Sequence, residues 1–263
     1  MRVLVTRPAR EAVHWVQGLA ALGFDVQALP LIDIAPPPEV APLAVARQGL
    51  GSYAAVMFVS GNAVRGLLGA SAGLKAMEPA DVVRTIARAR AWSPGPGTTG
   101  VLEQAGWPVW AIDAPAHDAP QFDSEALWSQ VEPQAKEGQR VLIVRGADVQ
   151  GRVAGRDWLA AKLRAAGVMV EEVAAYCRAL PTLDPVQHHL AESATADGSV
   201  WLFSSSEAIA NLQRLLPARD WSAARAIATH ERIDQAARKA GFGQVMQARP
   251  TLEAVAASIE SLS

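Results

Sequence analysis

A strand-then-helix pattern occurs twice in this chain, and that duplication restricts the fold to a pair of related α/β units. Arg2-Val3-Leu4-Val5-Thr6-Arg7 runs through a helical stretch to Leu22-Gly23-Phe24-Asp25-Val26. Arg140-Val141-Leu142-Ile143-Val144-Arg145 runs likewise to Ala166-Gly167-Val168-Met169-Val170. Phe58-Val59-Ser60-Gly61-Asn62-Ala63-Val64 returns 145 residues later as Phe203-Ser204-Ser205-Ser206-Glu207-Ala208-Ile209. Ala91 to Val109, with Gly106 after its helix, returns as Ala226 to Val245, with Gly241 in the same place. A repeat this long is a domain and not a solenoid turn. Two such domains imply a cleft between them, which is where a small molecule binds.

The 263 residues, 50% hydrophobic and 19% charged, suit a globular chain with sizeable cores. A net charge of −2 gives no case for nucleic acid, although a local arginine cluster still suits an anionic ligand. The single cysteine, Cys177, excludes an internal disulfide and points to a reducing compartment. Val3-Leu4-Val5 is too short an apolar run for a signal peptide, and no stretch approaches the ~20 apolar residues of a membrane span. A cytoplasmic chain is expected, acting as a monomer and without membrane partners.

Short β-branched runs alternate with Ala/Leu-rich segments, the pattern of parallel sheets covered by helices. The expected strands are Val3–Thr6, Asp25–Leu29, Ala55–Val59, Ala89–Trp92, Val109–Ile112, Val141–Arg145, Met169–Tyr176, Val200–Ser204, Ala226–Thr229 and Gln244–Ala248. The expected helices are Ala9–Ala21, Ala63–Ala70, Thr98–Ala105, Ser124–Val131, Arg156–Ala166, Glu207–Leu216, Glu231–Ala240 and Leu252–Leu262. Gly23, Gly106, Gly167 and Gly241 each follow a helical run, where a left-handed residue closes the last turn. Ala35-Pro36-Pro37-Pro38 and Arg178 to Pro185 read as extended connectors. The repeat favours tandem domains, one ending near Pro133 and one starting near Gly138. The connectors favour a middle domain inserted into one built from both ends, and the repeat does not choose between them.

Polar and basic groups collect where strands give way to helices: Thr6-Arg7-Pro8, Ser60-Gly61-Asn62, Ser93 to Thr98, Arg145-Gly146-Ala147, Ser204-Ser205-Ser206 and Thr229-His230. In open parallel sheets ligands bind at that edge, and free N–H groups at helix starts suit carboxylates or phosphates. Any one of these serines or threonines, taken alone, reads better as an ordinary helix cap; all of them together, lining one edge of two domains, read as a binding edge. Gly95-Pro96-Gly97-Thr98-Thr99-Gly100 has the G-x-G-x-x-G spacing, but proline interrupts its turn and no G-x-x-x-x-G-K-[S/T] motif is present, so a nucleotide is not favoured.

The histidines, His14, His117, His188, His189 and His230, show no metal-ligand spacing, and no metal site is expected. His188 and His189 point about 100° apart on a helix and read as surface groups. Cys177 reads as a small buried apolar residue, Glu171 and Glu172 as opposite faces of a strand, and the tryptophans as packing. His230 differs by its place at the binding edge. Tyr176 differs as the end of a strand just before the second connector, with a hydroxyl able to donate a hydrogen bond; a packing tyrosine at a hinge is the alternative.

With these residues assembled, the chain resembles the uroporphyrinogen-III synthase family. The matching pieces are V-L-V-T-R-P at 3–8, G-F-D-V-x-x-L-P-L-I at 23–32, F-V-S-G-N-A-V at 58–64, G-x-G-T at 95–98, F-D-S-E-A-L at 122–127, L-I-V-R-G at 142–146, A-Y-C-R-x-x-P at 175–181 and F-S-S-S-E-A-I at 203–209. Each piece is degenerate alone, but the set keeps the family order over nearly the whole chain.

The resemblance implies two similar parallel-sheet α/β domains joined by a two-stranded hinge, residues 1–36 with 178–263 forming one and 37–177 the other. It implies a cofactor-free lyase that closes linear hydroxymethylbilane to uroporphyrinogen III with ring D inverted, and transient contact with the preceding pathway enzyme. The substrate's carboxylates would meet N–H-rich strand ends and Arg7 or Arg145. Tyr176 matches the tyrosine thought to donate to the departing hydroxyl, and Ser60, Thr98 and Ser205 match family positions at the cleft. The chain departs from the family at Thr229-His230-Glu231-Arg232-Ile233, where many members have Gly-Pro-Thr-Thr-Ala. Arg232 replaces the usual threonine there, leaving His230 and Arg232 as side chains to meet carboxylates. The rival is a non-catalytic, hinge-closing binding protein, against which the missing secretion signal counts.

Overall fold

The computed structural model describes residues 1–69, 74–78, 80, 82, 84, 89–116, 119, 121–148, 150–153 and 157–262. Its chain divides into two compact units, Met1–Asp33 with Ala179–Ser263, and Ile34–Arg178. Eleven strands occur among the described residues: β1 Arg2–Val5, β2 Asp25–Ala28, β3 Asp33–Ala35, β4 Ala55–Phe58, β5 Arg90–Trp92, β6 Ile112–Asp113, β7 Arg140–Ala147, β8 Met169–Ala179, β9 Val200–Phe203, β10 Arg225–Ala228 and β11 Gln244–Gln247.

The unit built from both chain ends carries a parallel sheet in the order β11-β10-β9-β1-β2. Val3, Val5, Val200, Leu202 and Ile227 are buried between that sheet and the helices Ala9–Ala21 and Leu252–Ser261. Trp201, Phe203, Trp221 and Phe242 form an aromatic cluster, with Trp201 5.7 Å from Trp221 edge-on and Phe203 5.5 Å from Phe242. Such pairs add to area burial by about 0.5–1.5 kcal/mol each.

The middle unit's sheet runs β3-β8-β7-β4-β5-β6, with parallel pairing from β8 across to β6. Both faces are covered: Phe58, Val64, Leu67, Leu102 and Trp107 form one layer, and Met57, Trp92, Leu127, Ile143 and Leu163 the other. Four-residue strands buried at every position, such as β4 and β9, are what a sheet covered on both faces requires.

Laid along the sequence repeat, β7-β8 correspond to β1-β2, and β4-β5-β6 to β9-β10-β11. The strand order β8-β7-β4-β5-β6 is then the order β2-β1-β9-β10-β11 with a different chain entry point. In each sheet the order in which the chain adds its parallel strands reverses once, between β7 and β4 in one unit and between β1 and β9 in the other. The four glycine helix stops hold: Gly23, Gly106, Gly167 and Gly241 have φ between 77° and 98°.

Several elements differ from the expectation. The expected strand at Val109–Ile112 is a 3-10 turn over Val109–Ala111 with only Ile112–Asp113 paired. Pro108 starts that turn, the Ala111 N–H bonding its carbonyl at 2.9 Å, and Trp110 is exposed where packing was expected. Residues 33–35 form an edge strand in place of the start of a connector. Ala41–Gln48 is a helix, its Pro42 tolerated in the first turn and its Leu43 and Ala46 buried. Pro185–Ser193 is a helix closed by an Asp184/Gln187 capping box. The expected helix at Ala63–Ala70 begins at Gly61 and ends at Leu68, with residue 70 outside the described residues, as are Arg156 and His117. His14, His188 and His189 are exposed and Cys177 is buried.

At the N-terminal edge of the middle sheet the Tyr53 hydroxyl donates to Glu171 at 2.6 Å, and Arg140 bonds the same carboxylate. Burial, then the bond to Glu171, pushes the Tyr53 phenol up to about 12. The folded state thus holds that proton more tightly than the unfolded one, so its contribution is complete below pH 10.0 and lost as pH rises through about 12. Tyr53→Phe should flatten the alkaline fall in melting temperature over that window.

Candidate functional site

In the middle unit the switch lies between β4 and β7. Ser60 follows β4 in an extended conformation, and its Oγ accepts from the Ala63 N–H at 3.3 Å, capping the helix Gly61–Leu68. The same Oγ lies 3.0 Å from the Tyr176 hydroxyl. Tyr176 lies inside β8, which runs on to Ala179, and does not end the strand as expected.

The β7/β8 register shifts between Arg145 and Gly146, which brings Gly146 opposite Tyr176. A Cβ on Gly146 would stand 2.7 Å from the ring's Cε2 and Cζ, so the bare glycine backbone is what the ring lies against. Arg178, two residues along the strand and therefore on the same face, donates from Nη2 to the Tyr176 hydroxyl at 3.1 Å. Its guanidinium carbon is 5.6 Å from the ring centroid. Sequence reasoning gave Arg178 no role; its i+2 spacing from Tyr176 was the available signal.

The other candidates of this unit are held less openly. Arg145, 6% exposed, donates from its guanidinium to Glu172 at 2.6 Å, and Arg164 reaches the same carboxylate at 2.8 Å. Burial pushes the Glu172 carboxyl up, but the bonds from Arg145 and Arg164 outweigh it and hold it below the ordinary carboxylate range. Thr98 is buried in the helix Pro96–Gln104, its N–H on the Gly95 carbonyl at 3.1 Å. The Asn62 Oδ1 accepts from Arg65 at 3.5 Å. Gly61 packs against Val101, to which a Cβ would come within 3.0 Å.

In the other unit the switch lies between β1 and β9. The Thr6 hydroxyl donates to the Leu202 carbonyl at 2.8 Å, tying the two strands together. Arg7 stacks over Trp15 at 4.6 Å and stands 3.9 Å from Glu11. Burial lowers its pKa, against the attraction of Glu11. Ser205 caps the helix Ser206–Leu215 through the Glu207 N–H, and the Ser206 hydroxyl reaches the Arg232 carbonyl at 3.4 Å. The Thr229 N–H bonds the Phe203 carbonyl. His230 caps the helix Glu231–Lys239, its Nδ1 accepting from the Arg232 N–H at 3.1 Å. That bond selects the tautomer with the proton on Nε2. The capping reading of the serines is therefore realised at Ser60 and Ser205, and His230 caps its helix although only a binding role was read for it.

Two doubly wound α/β sheets, each with hydroxyls and an arginine at its switch point, define a class of proteins that bind small molecules at strand ends. Among the described residues no group of three or more His, Cys, Asp or Glu is placed to hold a metal ion, and no helix is long and apolar enough to cross a membrane. The family model described as uroporphyrinogen-III synthase HemD matches residues 13–257. The chain belongs to the uroporphyrinogen-III synthase family. It is 27% identical over 226 residues to the uroporphyrinogen-III synthase of Synechococcus elongatus, covering 84% of this chain and 78% of that one. The uroporphyrinogen-III synthetase structure from Helicobacter pylori matches with a TM-score of 0.62 at 16% identity, over 100% of both chains. A mutant uroporphyrinogen III synthase from Thermus thermophilus matches with a TM-score of 0.53 at 16% identity, over 100% of this chain and 98% of that one. At such identity these two likenesses speak for the fold.

Proposed function

We propose that this chain is a cyclising lyase that converts hydroxymethylbilane to uroporphyrinogen III with loss of water and inversion of ring D. The observation that carries this reading is the family match over residues 13–257. Departure of the ring-A hydroxyl leaves an azafulvene cation. Ring D attacks through its substituted carbon, and the spiro intermediate reopens and closes inverted. Little acid–base chemistry is needed beyond a donor to the departing oxygen, and the hydroxyl pair of Ser60 and Tyr176, with Arg178 beside it, is the group we assign to it. Holding a flexible bilane in one pose supplies the rest.

We further read residues 1–36 with 178–263 as one domain and 37–177 as the other, and the protein as a cytoplasmic monomer. Contact with the preceding pathway enzyme belongs to the same reading. The test is incubation with enzymatically generated hydroxymethylbilane. Product shifted from isomer I to isomer III supports the lyase, whereas binding without a shift would make the chain a receptor.

The two arginines that correspond in the repeat should separate experimentally. Arg7 is stacked on Trp15 with a distant carboxylate, and we assign it to a substrate carboxylate. Arg7→Ala should raise KM about tenfold, as the loss of a charge-assisted bond of ~1.5–3 kcal/mol allows. Arg145 is committed to Glu172. Arg145→Ala should instead cost about 2–3 kcal/mol of stability, less than the ~3–5 of a fully buried pair because Arg164 stays on the carboxylate. Steady-state kinetics beside urea unfolding of both variants checks the division.

A further inference from the structure

We propose that Ser60, and not Tyr176, carries the hydroxyl that meets the departing group, with Tyr176 refilling it and Arg178 fixing the direction of the chain. This rests on the lyase reading above. The direction follows from counting donors and acceptors. A guanidinium only donates, so the Tyr176 oxygen accepts from Arg178 at 3.1 Å. Either hydroxyl could donate in the 3.0 Å contact between Tyr176 and the Ser60 Oγ; the buried phenol hydrogen has that Oγ as its other neighbour, and the relay runs in this direction. That Oγ also accepts the Ala63 N–H at 3.3 Å. A hydroxyl oxygen has two lone pairs, and both are now filled. What Ser60 has left to offer is its hydrogen.

Burial points the same way. Tyr176 is 3% exposed and belongs to the core layer of its unit, its ring laid against Gly146. Ser60 is half-buried at the start of its helix, at the carboxyl edge of the sheet. The member of the chain placed to touch a ligand is the serine.

The step balances within the groups named. The carbon–oxygen bond of the hydroxymethyl group breaks, its electron pair leaving with oxygen. The Ser60 hydrogen joins that oxygen, which departs as water. The Tyr176 hydrogen moves to the Ser60 Oγ, leaving a phenolate beside the Arg178 guanidinium. The proton shed by the substrate when the macrocycle closes returns to the phenolate. On this scheme Ser60 is the catalytic donor and Arg178 a positioning residue.

The test compares turnover and isomer ratio for Ser60→Ala, Ser60→Asp, Ser60→Thr, Arg178→Met and Arg178→Lys. Asp still caps Ala63 but has no hydrogen to give at neutral pH. Ser60→Ala and Ser60→Asp should lose at least tenfold in kcat, with KM within about twofold of wild type in Ser60→Ala, while Ser60→Thr keeps turnover. Arg178→Met should lose kcat, and Arg178→Lys should recover part of it. Combining Ser60→Ala with Tyr176→Phe should be no slower than the slower single variant, because one chain is broken once. Additive losses in that pair, or unchanged kcat in Arg178→Met, would overturn the relay. Wild-type turnover in Ser60→Ala with an impaired Tyr176→Phe would overturn it too, leaving Tyr176 as the direct donor. A wild-type protein that forms no isomer III would instead remove the lyase reading itself.

Discussion

Tyr176→Phe is expected to lower turnover about 10²-fold while melting close to the wild-type temperature. The ring stays in its layer and only the hydroxyl, bonded to Ser60 and Arg178, is lost. General-acid contributions span ~10²–10⁴-fold, and the low end applies because the hydroxymethyl oxygen departs readily from a pyrrole. Gly146→Ala provides an independent route to the same loss. Its new methyl would sit 2.7 Å from two atoms of the Tyr176 ring, which must swing away and take the hydroxyl off Ser60. Gly146→Ala should therefore match the kcat of Tyr176→Phe and, unlike it, also lose stability. Stopped-time assays of isomer III beside thermal melts decide this. Wild-type turnover in both variants would remove Tyr176 from the reaction.

Much of the fold was legible because the local signals agreed with one another. The apolar runs of β1, β4, β7 and β9 marked strands buried on both faces, and glycines 23, 106, 167 and 241 marked helix ends by the one conformation they supply cheaply. The elements that escaped were those set by proline and by tertiary context. Pro108 turned a β-branched run into a 3-10 turn. Pro185, read as the end of a connector, and Pro42 lie in first turns where no N–H is needed.

The residue types of the candidate edge were legible, but their partners were not. Arg7 and Arg145 look alike in sequence, and only the chain's path shows that Glu172 lies across β7/β8 from one of them. The Ser60–Tyr176 contact spans 116 residues. No local pattern predicts it, since it depends on the β7/β8 register shift and on a glycine that leaves room for the ring.

Gly66→Ala is expected to damage stability and activity together. Gly66 lies inside the helix Gly61–Leu68, where alanine would ordinarily be the better residue by ~0.5–1 kcal/mol. Here a Cβ would fall 2.2 Å from the Ala175 carbonyl oxygen, a main-chain atom of β8 that cannot rotate aside. The helix must move off the strand, at a cost that overpacking in well-filled cores puts at ~1–3 kcal/mol and that rigid backbone places at the upper end. Ser60 caps this helix and Tyr176 follows Ala175 on that strand, so the same displacement lengthens the 3.0 Å contact between their hydroxyls. Loss of stability and loss of turnover should thus arise together in Gly66→Ala, whereas Tyr176→Phe shows the second almost alone. Urea unfolding and kcat measured well below the melting transition check the coupling. A Gly66→Ala protein with wild-type stability would mean that the helix and β8 do not touch through their backbones.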